Sequence, residues 1–129
     1  INFLKSTRDD FKKLIDWVYE GNFRNGTLII DDTVLFERRR TSDRFLALIT
    51  MLRHYRIHIV IIYHSLSQIP LDCFDNLNKL ILFNTTDNFE RRKDSLPNFD
   101  KLQAAHLQVR KNRLNPKTFY KPVIIDMTL

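Results

Sequence analysis

Two short groups of polar residues follow apolar runs in the sequence, and their side chains are of types that carry out chemistry. Asp31 and Asp32 follow the run 27–30, and His64 and Ser65 follow the run 57–63. Adjacent carboxylates can hold the water shell of Mg²⁺ and polarise an attacking water, and a histidine with a serine can hydrogen-bond a phosphate. The plainer alternatives are a turn or helix cap for the carboxylates and backbone hydrogen bonds in a loop for the other pair.

The apolar spacing of the chain predicts helices that alternate with strands. Branched apolar runs predict buried strands at residues 27–30 and 57–63, the first of them buried on both faces, and further strands at 79–83 and 123–125. Apolar residues three and four apart predict a helix over 7–20 and a second helix that follows a cap at Thr41 or Ser42. Further helices are predicted after Pro70, through 89–96, and from Asn98 or Asp100 onward. This order predicts the α/β class, with a mostly parallel sheet covered by helices on both faces, in a single domain over residues 1–129.

Composition limits the classes of partner and compartment. The 129 residues carry a net charge of +6, so a polyanion such as nucleic acid is an expected partner. The lone cysteine, Cys73, cannot form an internal disulfide, which favours a reducing compartment, and it is expected to be a buried thiol rather than a nucleophile. The apolar runs are too short to cross a bilayer, so no membrane span and a cytoplasmic location are expected.

Residues 28–67, together with the sequence SQIP that begins at Ser67, resemble one family of ATPases. The features are the run LIIDD at 28–32 and the Arg53-His54 pair within LRHYRIHIVIIYHS at 52–65. They resemble the FtsK/HerA-type P-loop ATPases, especially viral genome-packaging ATPases and the zonula occludens toxin-like ATPases of phage assembly. In that family a Walker B strand is followed by a helix ending in Arg-His and by a buried strand ending in a polar pair. Here a His-Ser pair stands where many relatives have Thr-Gln, and Asp32 stands where many have Glu.

The resemblance implies part of a P-loop NTPase core of the RecA/FtsK type, in a motor that moves DNA or packages a viral genome. It implies that ATP and Mg²⁺ are the cofactors and that Asp31 holds the metal. It also implies that Asp32 activates the attacking water, and that His64 and Ser65 sense the γ-phosphate.

The resemblance further implies an arginine that acts across the subunit interface of a ring. Arg53 is one candidate, and the run Arg38, Arg39 and Arg40 is the other; the run is also a candidate for lining a DNA pore, or is a solvated basic surface. The implied partners are double-stranded DNA, further copies of the chain, and a capsid or membrane partner. The implied location is the host cytoplasm or the virion.

The phosphate-binding loop of this family does not occur in the sequence. Gly21 and Gly26 are the two glycines, and neither begins a GxxxxGK[ST] pattern. The chain is therefore expected to be the carboxyl-terminal part of an ATPase and to be inactive alone. The alternative is a catalytically inactive basic α/β module that binds nucleic acid or a partner protein, and a metal-dependent nuclease is a third option. A zinc site is not expected, because the three closely spaced histidines, His54, His58 and His64, lack a cysteine or carboxylate to complete the ligand set.

Overall fold

The computed structural model describes residues 8–31 and 42–128. The helices are α1 (Arg8–Tyr19), α2 (Asp43–Tyr55), α3 (Leu71–Phe74) and α4 (Phe99–Arg113), with 3₁₀ turns at Leu66–Gln68 and Phe89–Arg92. The strands are β1 (Gly26–Ile30), β2 (Ile57–Ile61), β3 (Lys79–Leu82) and β4 (Val123–Asp126). The α/β class is confirmed. The chain divides into two compact units, Ile1–Tyr63 and His64–Leu129, and the single domain over residues 1–129 stays a prediction.

The first unit joins α1 and α2 to a pair of parallel strands. β1 runs beside β2 with Gly26 opposite Ile57, and α2 forms the crossover that parallel neighbours require. Ser42 caps the start of α2, where its side chain accepts a hydrogen bond from the Phe45 N–H at 3.3 Å. The helix ends before Arg56, which adopts a left-handed conformation with φ of 54°. One cluster forms the core: Phe11, Ile15, Val18, Ile30, Phe45, Leu48 and Ile57.

The opposite face of β1 and β2 is open to solvent. Ile29 is 64% exposed and its cross-strand partner Val60 is 43% exposed. The neighbouring pair on this face, Thr27 and His58, is exposed as well. The prediction that β1 is buried on both faces is therefore wrong. Branched apolar residues favour extended backbone, but they do not determine how many layers cover the sheet.

The second unit joins α4 to a pair of antiparallel strands. β3 runs beside β4 with Leu80 opposite Ile125 and Ile81 opposite Ile124. The core combines residues of the strands, of α4 and of the segments between them: Leu66, Phe74, Leu82, Phe89, Leu96, Leu102, Ala105, Val109 and Ile125. Helix α4 begins after Asn98, one of the two predicted start residues.

The direction of β4 differs from the predicted, mostly parallel sheet. Alternation of strands and helices predicts parallel pairing only when the connections are short. Here residues 83–98 separate β3 from α4, and residues 114–122 separate α4 from β4. Connections of this length allow β4 to enter beside β3 from either end. The described sheets are accordingly one parallel pair and one antiparallel pair.

Candidate functional site

Asp31 lies at the carboxyl end of the parallel pair, where the sequence places it. Ile30 is level with Ile61, and the Ile62 N–H donates to the Ile30 carbonyl at 2.9 Å, so the two strands end at the same edge. Asp31 is exposed there. Asp32 lies outside the described residues, and so do the three arginines at 38–40. The structure thus describes one carboxylate of the predicted pair.

His64 and Ser65 are the first residues of the second unit. His64 is exposed and Ser65 is half-buried. The Ser65 hydroxyl shares a 2.7 Å hydrogen bond with the hydroxyl of Ser67, at the start of the 3₁₀ turn Leu66–Gln68. The role of this pair as a sensor of the γ-phosphate stays a prediction.

Arg53 and Asp31 lie at opposite ends of the first unit. Arg53 is exposed in the last turn of α2, and β2 begins at Ile57, so Arg53 lies by the amino end of the strands. Asp31 lies beyond their carboxyl end. Each strand has five residues, which span about 16 Å. Within one chain, Arg53 and Asp31 therefore belong to separate places on the surface.

A metal ion and the phosphates of a nucleotide require different ligands from this chain. Mg²⁺ takes one or two carboxylates and keeps several waters, so the exposed Asp31 fits a magnesium ligand. ATP phosphates need a cradle of backbone N–H groups, and neither glycine of the chain, Gly21 or Gly26, begins a GxxxxGK[ST] pattern. The described residues therefore offer one strand-end carboxylate for a metal and no glycine-rich loop for the phosphates.

Other metal ligands are spread through the described residues rather than gathered. His54 lies in the last turn of α2, and His58 lies on the open face of β2. Within residues 8–31 and 42–128, no group of three or more His, Cys, Asp or Glu side chains is arranged to hold a metal ion. Cys73 in α3 is partly buried.

Within the described residues, 8–31 and 42–128, no helix is both long enough and apolar enough to cross a membrane.

A hydrogen-bonded clamp fixes the loop that follows Ser65. The Arg92 guanidinium donates to the Leu66 carbonyl at 2.7 Å and to the Ile69 carbonyl at 3.2 Å from both of its terminal nitrogens. The Asp87 carboxylate accepts from the Leu66 N–H. Burial lowers the pKa of Arg92 from its ordinary value, and the charge of Asp87 opposes that shift. The clamp positions the backbone beside Ser65 from a segment more than twenty residues away.

A groove in the second unit has no counterpart among the predicted sites. It encloses about 260 Å³. Three aromatic, two basic and one amide side chain line it: Phe83, Phe119, Tyr120, Arg113, Lys121 and Asn84. The sequence does contain a signal for it. Residues 101–125 include six lysines and arginines and no aspartate or glutamate, and an adjacent Phe-Tyr pair lies within them.

Asn112 holds the groove loop, residues 114–122, against α4. It is only 9% exposed, and its amide donates to the Lys121 carbonyl at 3.1 Å while accepting from the Gln108 amide at 3.0 Å. Its backbone carbonyl also accepts from the Thr118 hydroxyl at 2.9 Å. A buried asparagine late in a helix, which the sequence alone does not explain, thus positions the loop.

Replacing Asn112 by alanine is expected to lower the free energy of unfolding of the second unit by about 1–3 kcal/mol, because the Lys121 carbonyl loses its donor. Hydrogen exchange of the amides at 118–121 should accelerate, which mass spectrometry measures. The exposed Asn76 provides the matched control, and its alanine variant should change stability by about 0.5 kcal/mol or less. Equal effects of the two substitutions would contradict the assigned role.

The structure thus describes one strand-end carboxylate, Asp31, in the first unit and an aromatic and basic groove in the second unit. Comparisons with protein-family models, with curated proteins and with solved structures found no match.

Proposed function

We propose that the chain supplies the Walker B half of an ATPase motor that moves double-stranded DNA. The observation that carries the proposal is the placement of Asp31 directly after β1, whose parallel neighbour β2 ends at the same edge. In open α/β sheets, ligands bind outside the carboxyl ends of parallel strands. A carboxylate at that edge is suited to Mg²⁺ bound together with phosphates.

The order of the elements supports the same proposal. β1 is followed by α2, whose last turn contains Arg53 and His54, then by β2, the His64-Ser65 pair and a 3₁₀ turn. This is the order that the resemblance to FtsK/HerA-type ATPases requires. In the proposal Asp31 holds the metal and Asp32 activates water, while His64 and Ser65 contact the γ-phosphate.

The position of Arg53 suits a role between subunits. An arginine at the amino end of the strands is about 16 Å from its own Asp31 edge, so it stabilises charge only at a neighbour's site. A ring of subunits provides such a neighbour. The run at 38–40 remains the other candidate for this role and for contacts with DNA phosphates. The proposal requires a phosphate-binding loop, which these 129 residues do not contain, before ATP can be turned over.

The test is ATP turnover by the natural polypeptide that contains this chain and a phosphate-binding loop. Asp32→Asn is expected to lower the turnover number about 100-fold or more, because the amide cannot accept a proton from water. Asp75→Asn, at an exposed position of the second unit, should leave turnover within about twofold. Turnover that survives Asp32→Asn would exclude the assignment, and so would a coding sequence without any Gly-Lys-Ser/Thr loop.

The groove favours a second candidate function, that of a basic α/β module that binds nucleic acid without catalysis. Its support is the acid-free stretch 101–125, whose six cations equal the net charge of the whole chain. Clustered lysine and arginine displace counterions from phosphates, and this attraction requires no particular sequence. The two candidate functions are compatible, because a DNA motor also needs a surface that binds the DNA along which it moves.

A further inference from the structure

The groove of the second unit combines exposed aromatic rings with a positive charge. Its rings are exposed: Tyr120 by 85% and Phe83 by 61%. Its charge is entirely positive, since Arg113 and Lys121 are its charged lining residues. Exposed aromatic rings on a basic surface favour a partner with flat apolar groups and negative charge.

The exposure of Tyr120 is imposed by an ordered loop. The Lys121 N–H donates to the Thr118 carbonyl at 2.9 Å, and the Thr118 N–H donates to the Asn115 carbonyl at 3.0 Å. The Phe119 ring meets the Tyr120 ring edge to face, with centroids 4.7 Å apart, and the Arg113 guanidinium lies 6.0 Å from the Phe119 centroid. With this contact in place, Tyr120 is still 85% exposed.

The surrounding charge selects a polyanion. The six cations of residues 101–125 are Lys101, Arg110, Lys111, Arg113, Lys117 and Lys121. Three of them lie in the last turn of α4, which leads directly into the loop that presents Tyr120. An acidic protein would match this charge, but a nucleic acid repeats a flat base and a negative charge in every nucleotide and so matches the rings and the cations together. A duplex would meet the charge too, but its bases are stacked inside and out of reach of the rings.

We propose that this groove binds single-stranded nucleic acid by stacking a base on Tyr120, with Arg113 and Lys121 against the flanking phosphates. Phe83 borders the same groove and offers a second ring, and the Asn84 amide carries a donor and an acceptor for a base edge. The inference deepens the nucleic-acid-binding candidate, on which it rests. It goes beyond the motor proposal, because duplex translocation needs only phosphate contacts.

The test measures fluorescence anisotropy of labelled 12-mers with the 129-residue chain at low salt. The probes are an oligo-dT strand, an abasic strand of equal length and charge, and a 12-base-pair duplex. The oligo-dT strand should bind about fivefold to 150-fold more tightly than the abasic strand, since stacking contributes that much for each base. Tyr120→Leu should abolish this preference, whereas Tyr120→Phe should keep it.

Charge variants separate stacking from attraction to phosphates. Lys121→Ala should weaken binding of the oligo-dT and abasic strands by the same factor and lower the salt dependence of both. Lys13→Ala, which makes the same charge change on an exposed position of α1, provides the control. Equal affinity for the oligo-dT and abasic strands, or a base preference that survives Tyr120→Leu, would overturn the stacking site. If the duplex still binds with a steep salt dependence, the broader nucleic-acid-binding candidate stands; if no probe binds, both fall.

Discussion

Replacing Phe45 by alanine is expected to lower the free energy of unfolding of the first unit by about 3–5 kcal/mol. Phe45 is 0% exposed, and its ring meets Phe11 of α1 edge to face with centroids 5.8 Å apart. The substitution removes a large apolar group and leaves a cavity between the two helices, where little can collapse to fill it. Urea unfolding followed by the fluorescence of Trp17, the single tryptophan of the chain, measures the change.

Ile29 provides the matched control in the same unit. Ile29→Ala also removes a large apolar group, but from the open face of β1, where the side chain is mostly in water. Its expected cost is about 1 kcal/mol or less, arising from the lower strand propensity of alanine. A cost for Phe45→Ala no larger than that for Ile29→Ala would contradict the assignment of Phe45 to the core. A large cost for Ile29→Ala would instead indicate that the open face is covered in solution.

Most helices and strands were predictable because their signals are local. The helix predicted through 89–96 is an exception, since the structure has a 3₁₀ turn at Phe89–Arg92 in its place. The Ser42 cap and the apolar stripe of Phe45 and Leu48 lie within one helix, and the branched run 57–61 lies within one strand. What failed depends on distant residues. The number of covered faces on β1 depends on which helices reach it, and the direction of β4 depends on two long connections rather than on its own sequence.

The candidate functional residues likewise include some that local sequence predicts and some that it does not. Asp31 was predictable as a strand-end carboxylate, because its position follows from the end of an apolar run. The groove was not predicted, since its lining comes from the segment after β3, the end of α4 and the loop 114–122, which share no periodicity. Tyr120 in particular belongs to a stretch without helix or strand character, and its exposure depends on the distant anchor Asn112. An acid-free basic stretch containing adjacent aromatic residues is the sequence signal to search for.

The two candidate functions depend on different kinds of structural feature. The motor proposal depends on strand ends, which local sequence can place, and on a phosphate-binding loop that this sequence does not contain. The groove proposal depends on residues that are all described and that fold together in one unit. The groove is therefore testable with the chain alone, whereas the ATPase is testable only in a polypeptide that carries the loop.

Replacing Arg92 by alanine is expected to destabilise the second unit by about 2–4 kcal/mol, because the carbonyls of Leu66 and Ile69 lose a charged donor in a partly buried place. Asp87 would also lose the nearby positive charge that Arg92 supplies. Hydrogen exchange of the amides at 66–69 should accelerate more than exchange at Val109 in the core of α4. Urea unfolding followed by far-ultraviolet circular dichroism and exchange followed by mass spectrometry measure the two effects.

Two further variants separate the geometry of the clamp from its charge. Arg92→Lys keeps the charge but replaces the planar fork by a single ammonium, which cannot reproduce three donations to two carbonyls, so most of the destabilisation should remain. Arg91→Ala removes an exposed arginine from the same 3₁₀ turn and should cost about 0.5 kcal/mol or less. If Arg92→Ala were no more harmful than Arg91→Ala, the loop beside Ser65 would be held by other contacts. If Arg92→Lys were harmless, charge rather than geometry would hold it.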